Sequence, residues 1–329
     1  MKIDIPYYED TSRISNSNIG WFLQKGPAFL HKMLTNPPPE EKSPALERGT
    51  MIHEYILQPE EFSKDYVVWT EAKPTSVQQE TFCKALAESI EIEPNRAILS
   101  AYKEAYSTTG KSDDKMLSEG LKIASTLKDY ITFLKERDTR IMISPWDVKM
   151  LEQIKQNIDS HKFAKHLLSP TGRIINLHEF HINWEWYGEI PIACKSLLDG
   201  IVLDSERKKI TIFDLKTTQK LWHFEDSMKQ YDYCRQLMYY TMAVKWYIKY
   251  ELEDDPEKWT FDWYIIGIDT TGSYEIRVFK IDEKDILSRK DDIENALIDI
   301  AWHQSANKWE HSRSYYEGDG AESLNHDVI

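Results

Sequence analysis

The residues best suited to chemistry are an aspartate at position 199 and, fifteen residues on, the run Asp214-Leu215-Lys216-Thr217-Thr218. In an extended strand, side chains at i and i+2 share a face, so Asp214 and Lys216 project together. With the Asp199 strand alongside, two carboxylates converge beside an ammonium, and such oxygen ligands suit Mg²⁺ or Mn²⁺ rather than zinc. A divalent ion there polarises a phosphoryl oxygen and lowers the pKa of water, while the lysine orients or activates that water and offsets developing charge. The chemistry this spacing can supply is hydrolysis of a phosphodiester. A solvated strand of alternating charge has the same appearance, and Asp-Leu-Lys is a common tripeptide. Two further features favour a site: His53, and the segment Tyr231 to Tyr240.

His53 lies in a helix expected from Ala45 to Leu57, ended by Pro59, whose one face carries Leu46, Gly49, Thr50, His53 and Ile56 at three- and four-residue steps. Before it, Ser15-Asn16-Ser17-Asn18 can cap a helix that Gly26-Pro27 interrupts, giving two short helices, and Pro37-Pro38-Pro39-Glu40-Glu41-Lys42 reads as a loop. Residues 77–137 are helical in pattern with a break at Ser107 to Ser112, and 144–168 form another amphipathic helix. Then the period changes to two. Strands are expected at Ile174-Ile175, Glu179 to Trp184, Ile190 to Ile201 and Ile210 to Lys216, followed by a Tyr-rich helix over 226–250. A strand pair at Trp259–Ile268 and Tyr274–Ile281, a last helix near Lys284 to Trp302 and a loose tail after about Ser312 complete the chain.

Composition sets the outer bounds. At 329 residues with 41% hydrophobic side chains the chain has material for a large core, which rules out disorder throughout. No run approaches the roughly 18 apolar residues of a membrane span, and Met1 to Asp10 lacks the layout of a secretory signal, so a cytoplasmic protein is expected. Cys83, Cys194 and Cys234 are too few for a four-cysteine iron-sulfur cluster and form no CxxC, so neither that cluster nor a disulfide framework is expected. The net charge of −14 argues against a polyanionic partner until it is mapped: residues 205–250 carry nine Lys/Arg against five Asp/Glu, and 251–329 carry eight against twenty. Gly110-Lys111-Ser112 lacks the upstream glycine of a phosphate loop, no G-x-S-x-G occurs, and the tryptophans, Trp184, Trp186, Trp259 and Trp263 among them, read most simply as core.

Taken together, these motifs resemble the PD-(D/E)XK nuclease superfamily, and within it the RecE-type (exodeoxyribonuclease VIII-like) phage recombination exonucleases. Residues 14–34 look like that family's opening Ser-x-Ser helix. Gly49-Thr50-Met51-Ile52-His53 with Leu57-Gln58-Pro59-Glu60-Glu61-Phe62 is similar to its G-T-x-x-H…L-x-P-x-x-F motif, and Tyr231, Tyr233, Gln236 and Tyr240 match its Y-x-Y-x-x-Q-x-x-x-Y helix. The resemblance implies that His53, Asp199 and Asp214 are metal ligands, with the Leu215 carbonyl a further donor, that Lys216 is the catalytic lysine, and that Glu179 is an additional acidic residue. It makes Gln236 and Tyr240 contacts to the DNA backbone, joined by Thr217, Thr218 and Lys195 as candidate DNA-binding residues.

The expected fold is therefore α/β, a restriction-endonuclease-like mixed sheet flanked by helices, in a single nuclease domain. Its parts are a helical section 1–76 carrying His53, a helical insertion 77–140, a core 141–311 and a loose acidic tail 312–329. The implied function is a Mg²⁺- or Mn²⁺-dependent exonuclease, with two ions, that degrades one strand from double-stranded DNA ends in the 5′-to-3′ direction. The implied setting is the cytoplasm of a bacterial or phage-infected cell, with a homo-oligomeric ring, a single-strand annealing protein as partner and no membrane. The alternatives are a non-catalytic DNA-end-binding module on the same fold and a RecB-like nuclease of other polarity.

Overall fold

The computed structural model describes residues 5–38, 43–90, 93–169 and 175–320. The chain divides into two compact units, Met1–Pro59 with Leu151–Ile329, and Glu60–Met150.

The first unit opens with helix α1 (Asn16–Thr35), for which Ser15 and Asn18 form a reciprocal capping box. Gly26 interrupts it at φ 80°, so the expected pair of helices runs as one element with a kink just before Pro27. Helix α2 (Pro44–Leu57) starts at the Ser43 cap and buries Met51, Ile52, Ile56 and Leu57. Residues 39–42 of the expected proline loop lie outside the described residues.

The second unit holds α3 (Pro59–Asp65), β1 (Tyr66–Val68), α4 (Val77–Glu88), α5 (Pro94–Ala105), α6 (Asp113–Thr126), α7 (Lys128–Lys135) and β2 (Ile141–Ile143). Phe82, Cys83, Ile98, Tyr102, Met116 and Ile131 form its core. The break expected at 107–112 separates α5 from α6: Ser112 caps α6, and Lys111 ion-pairs with Glu119 at 2.7 Å. The parallel pair β1–β2 is an addition to the expected helices, its three-residue strands being too short to show a period.

Helix α8 (Pro145–Ser160) leads back to the first unit, where α9 (Lys162–Leu168) follows. His161 divides the expected single helix by capping α9, its ring accepting from the Phe163 and Ala164 amides. The central sheet has five strands: β3 (Ile175–Trp186), β4 (Ile192–Asp204), β5 (Lys209–Thr218), β6 (Thr260–Asp269) and β7 (Ile276–Ile281). They lie in chain order, antiparallel except for the parallel pair β5–β6. Ile174, expected to begin the sheet, lies outside the described residues.

A parallel pair needs a crossover, and α10 (Phe224–Tyr231) and α11 (Tyr233–Tyr250) supply it. The expected single helix is split because Asp232 sits in the left-handed region, at φ 47°, while its carboxylate caps α11. Helices α12 (Glu283–Leu287), α13 (Lys290–Ala306) and α14 (Arg313–Glu317) close the fold. The tail thus begins with a short helix, tied through Arg313 to Glu317 and Asp299, and 321–329 lie outside the described residues.

The fold is mixed α/β, with a five-stranded mixed sheet flanked by helices. Ile212, Ile265, Tyr239, Val244, Ile248 and Leu297 are fully buried in its core, each such aliphatic side chain contributing about 1.5–3 kcal/mol. Trp184, Trp259 and Trp263 are buried as expected, and the Trp184 and Trp263 indoles donate to Ser196 and Thr241. Among the described residues no helix is long and apolar enough to cross a membrane.

Candidate active site

The β4–β5 register pairs Gly200 with Phe213, so the next step of the ladder sets Asp199 opposite Asp214. Only glycine fits at 200, where a Cβ would lie 1.9 Å from the Phe213 ring. On the other side of β4, His178 pairs with Gly200 and Phe180 with Leu198, which brings Glu179 opposite Asp199. Glu179 itself has φ 48°, a left-handed conformation costing about 1–3 kcal/mol outside glycine and concentrated at functional sites. Further along β3, His181 and Asn183 bond to each other.

Helix α2 brings the fourth group. At Gly49 it passes so close to β5 that a Cβ would stand 3.2 Å from the Thr217 hydroxyl, and one turn later His53 reaches the carboxylates. Its Nδ1 is 3.6 Å from Asp199 Oδ2, and ligand atoms of His53, Glu179 and Asp199 all lie within 4.8 Å of one another. The Leu215 amide donates to Asp199 at 2.7 Å, while the backbone of Leu215 also hydrogen-bonds the His53 ring. Asp214, only 1% exposed, accepts from Gln236 at 3.0 Å and ion-pairs with Lys216 at 2.6 Å.

Negative charge is in excess here. Burial, then the Asp199, Asp214 and Glu54 carboxylates, push Glu179 up to about 7. Burial and Asp199 push Asp214 up to about 6 against the pull of Lys216, and burial also raises Asp199. Burial disfavours the Lys216 cation, but Asp214 and Asp199 outweigh it and hold the ammonium above its usual range. Burial, then the Lys216 cation, push His53 down to about 4, leaving at neutral pH the uncharged imidazole that can ligate a metal. One nitrogen and several carboxylates in a half-buried cluster fit a divalent cation, which would neutralise the excess.

The sequence reading missed Glu54. It follows His53 directly, and its Oε2 is buried without a hydrogen-bond partner. Its one sequence signal is an acidic side chain beside the motif histidine on an inward-packing helix.

Other expected contacts are placed differently. Lys195 is a correction: it is 6% exposed, and its ammonium is held by the backbone carbonyls of Tyr7 and Asp10, so it anchors the N-terminal segment instead of facing a groove. Tyr240 is likewise buried, bonded to the Gln236 amide at 2.8 Å, and positions that amide instead of meeting the DNA backbone. Gln236 contacts Asp214 and belongs to the site. The Thr218 hydroxyl accepts from the Lys220 amide in the turn after β5, which gives it a local role, whereas Thr217 lies under Gly49 beside the cluster. Tyr233 stands beneath the Lys216 ammonium, 5.1 Å from its ring centre, as support.

No family model matches the sequence, and no curated protein does. Among solved structures the chain is similar to a Eubacterium rectale protein named "Putative exonuclease", with 12% identity and a TM-score of 0.48 over 100% of this chain and 97% of that one. At that level of likeness, function has to be read from the side chains.

Proposed function

We propose that this chain is a divalent-metal-dependent deoxyribonuclease, an exonuclease that degrades one strand from double-stranded DNA ends. The observation that carries the reading is the His53, Glu179 and Asp199 cluster adjoining the Asp214–Lys216 pair. His53, Glu179, Asp199 and Asp214, with the Leu215 carbonyl, would hold Mg²⁺ or Mn²⁺, and the number of carboxylates suits two ions. Bound there, the metal supplies Lewis-acid polarisation of the phosphate and a more acidic water.

The chain's own groups do the rest. The Asp214 and Asp199 carboxylates favour the Lys216 ammonium, which places a cation where it can orient the attacking water and face the charge building on the phosphoryl oxygens. Gln236 fixes Asp214 through its amide, and Tyr240 fixes Gln236. The motif resemblance supports 5′-to-3′ polarity, action within a homo-oligomeric ring and delivery of the product strand to an annealing protein.

The test is digestion of linear duplex labelled at the 5′ or 3′ end, with Mg²⁺ or with chelator, beside a closed circle and a Lys216→Ala protein. Metal- and Lys216-dependent loss of linear DNA alone is expected, with the label lost first giving the polarity. Absence of degradation under every condition would leave a DNA-end-binding module, and a monomer by light scattering would remove the ring.

A further inference from the structure

Beyond Lys216, strand β5 runs out at Thr218 into a 3₁₀ turn, Leu221–His223, that separates two neighbouring side chains sharply. Leu221 is buried against Gly267 and Phe279, and Trp222 is turned out, 71% exposed. A single exposed aromatic is ordinary, and Tyr8 and Trp146 are exposed too; Trp222 stands apart because it is held in place. The Arg277 guanidinium lies 4.6 Å from the centre of the Trp222 ring and 5.2 Å from that of Phe279, and it donates to the Leu221 carbonyl at 3.5 Å. One face of the indole is thus occupied by a cation and the rest is open.

The support continues to the catalytic lysine. Phe279 stacks on Phe224 at 4.7 Å, Phe224 on Tyr233 at 5.8 Å, and Tyr233 carries the Lys216 ammonium at 5.1 Å. The indole borders a cavity of about 230 Å³, below the usual range for a drug-sized ligand and suited to one planar group. Lys220 and Arg277 form no ion pair with any described residue, leaving two cations available to phosphates. Of the two acids on the same rim, Asp269 is spent on the Thr271 and Ser273 hydroxyls of its own turn, and Glu275 is outnumbered by the two cations.

Resting on the nuclease reading of the neighbouring site, we infer that Trp222, Arg277 and Lys220 form a stacking shelf for an unpaired base of a single-stranded DNA segment next to the scissile position. The indole face takes the base, and the two cations take the flanking phosphates. The shelf gives the enzyme a grip on the strand it separates from the duplex.

The test is fluorescence anisotropy, in chelator so that nothing is cut, with a labelled duplex carrying either a five-nucleotide thymidine overhang or the same overhang without bases. Wild-type protein is expected to bind the thymidine overhang about 10-fold more tightly than the abasic one. Trp222→Ala should lose that preference and bind both at the weaker level, and Trp222→Phe should restore most of it. Equal binding of both overhangs by the wild type, or an unchanged preference in Trp222→Ala, overturns the shelf. If the wild type nonetheless digests DNA with Mg²⁺, only the shelf fails; if it neither binds nor digests DNA, the nuclease reading fails with it.

Discussion

The same sheet carries two clusters of ionised side chains, and they are balanced in opposite ways. Near the start of β5 and β6, Asp262 stands between Lys209 at 2.6 Å and Lys280 at 2.8 Å, and these two lysines outweigh burial to hold its carboxyl below the usual range. At the other end, Glu179, Asp199 and Asp214 gather near the Lys216 cation, and burial, joined by neighbouring carboxylates at Glu179 and Asp214, drives these three carboxyl groups upward. The first cluster is complete as it stands. The second holds carboxylates that repel one another inside the protein, an arrangement that costs stability and is tolerated where a cation is to be recruited.

The contrast breaks most visibly on activity. Lys216→Ala and Asp199→Asn should each lower the rate of DNA digestion by about 10²–10⁴-fold, whereas Lys280→Ala should leave it within about 2-fold, read from initial rates on labelled duplex. A Lys280→Ala defect as large as that of Lys216→Ala would remove the distinction between the clusters.

Metal should discriminate next. Saturating Mn²⁺ or Mg²⁺ is expected to stabilise the wild type by about 2–3 kcal/mol at 100 times Kd, seen as a raised Tm. Asp199→Asn should abolish that gain while being at least as stable as the wild type in chelator, because it relieves repulsion.

The two ends should also respond oppositely to pH. The raised Glu179 and Asp214 bind more protons in the folded state. Their effect is to destabilise the metal-free protein as pH rises from the unfolded carboxylate range near 4 through about 7, on the order of 2 kcal/mol between pH 5 and 8. Asp262, held low, contributes stability present above about 4 and lost as pH falls below that. Denaturant titrations of wild type and Glu179→Gln in chelator at pH 5 and 8 check the first sign, since the variant should lose much of the dependence. The smallest effect is Lys280→Ala on stability, expected below about 1 kcal/mol, as for other exposed ion pairs.

What the sequence disclosed follows from the range of the physics involved. Asp214 and Lys216 could be placed on one face because strand alternation is local, and His53 could be placed inward because helix periodicity is local. The residues read wrongly are those whose partners lie far away in the chain. Nothing near Lys195 announces that its ammonium is claimed by Tyr7 and Asp10, and Tyr240 cannot be read as buried without knowing that Gln236 and Asp214 lie against it. The split at Asp232 escaped because one left-handed residue leaves the apolar period on either side intact. Glu54 and Trp222 were passed over because an acid on a helix and an aromatic in a loop are common, and only burial of the one and exposure of the other distinguish them.

The Ile14 segment has a consequence for how the molecule is made. Ile14 bridges to Cys194, the Tyr239 hydroxyl donates to the Ile14 carbonyl at 2.5 Å, and Arg235 donates to Asn16 at 2.7 Å, contacts that join residues up to 225 positions apart. At a ribosomal rate of about 5–20 residues per second, that segment waits roughly 10–45 s for its partners to emerge. Closing such long loops is slow, so the segment ahead of α1 docks late on the nascent chain. Helix α2 has to await β5 in the same way, and the cluster that gathers His53 with Asp199 therefore forms only after most of the polypeptide has left the ribosome, which keeps a growing chain from presenting the assembled carboxylates to a cation.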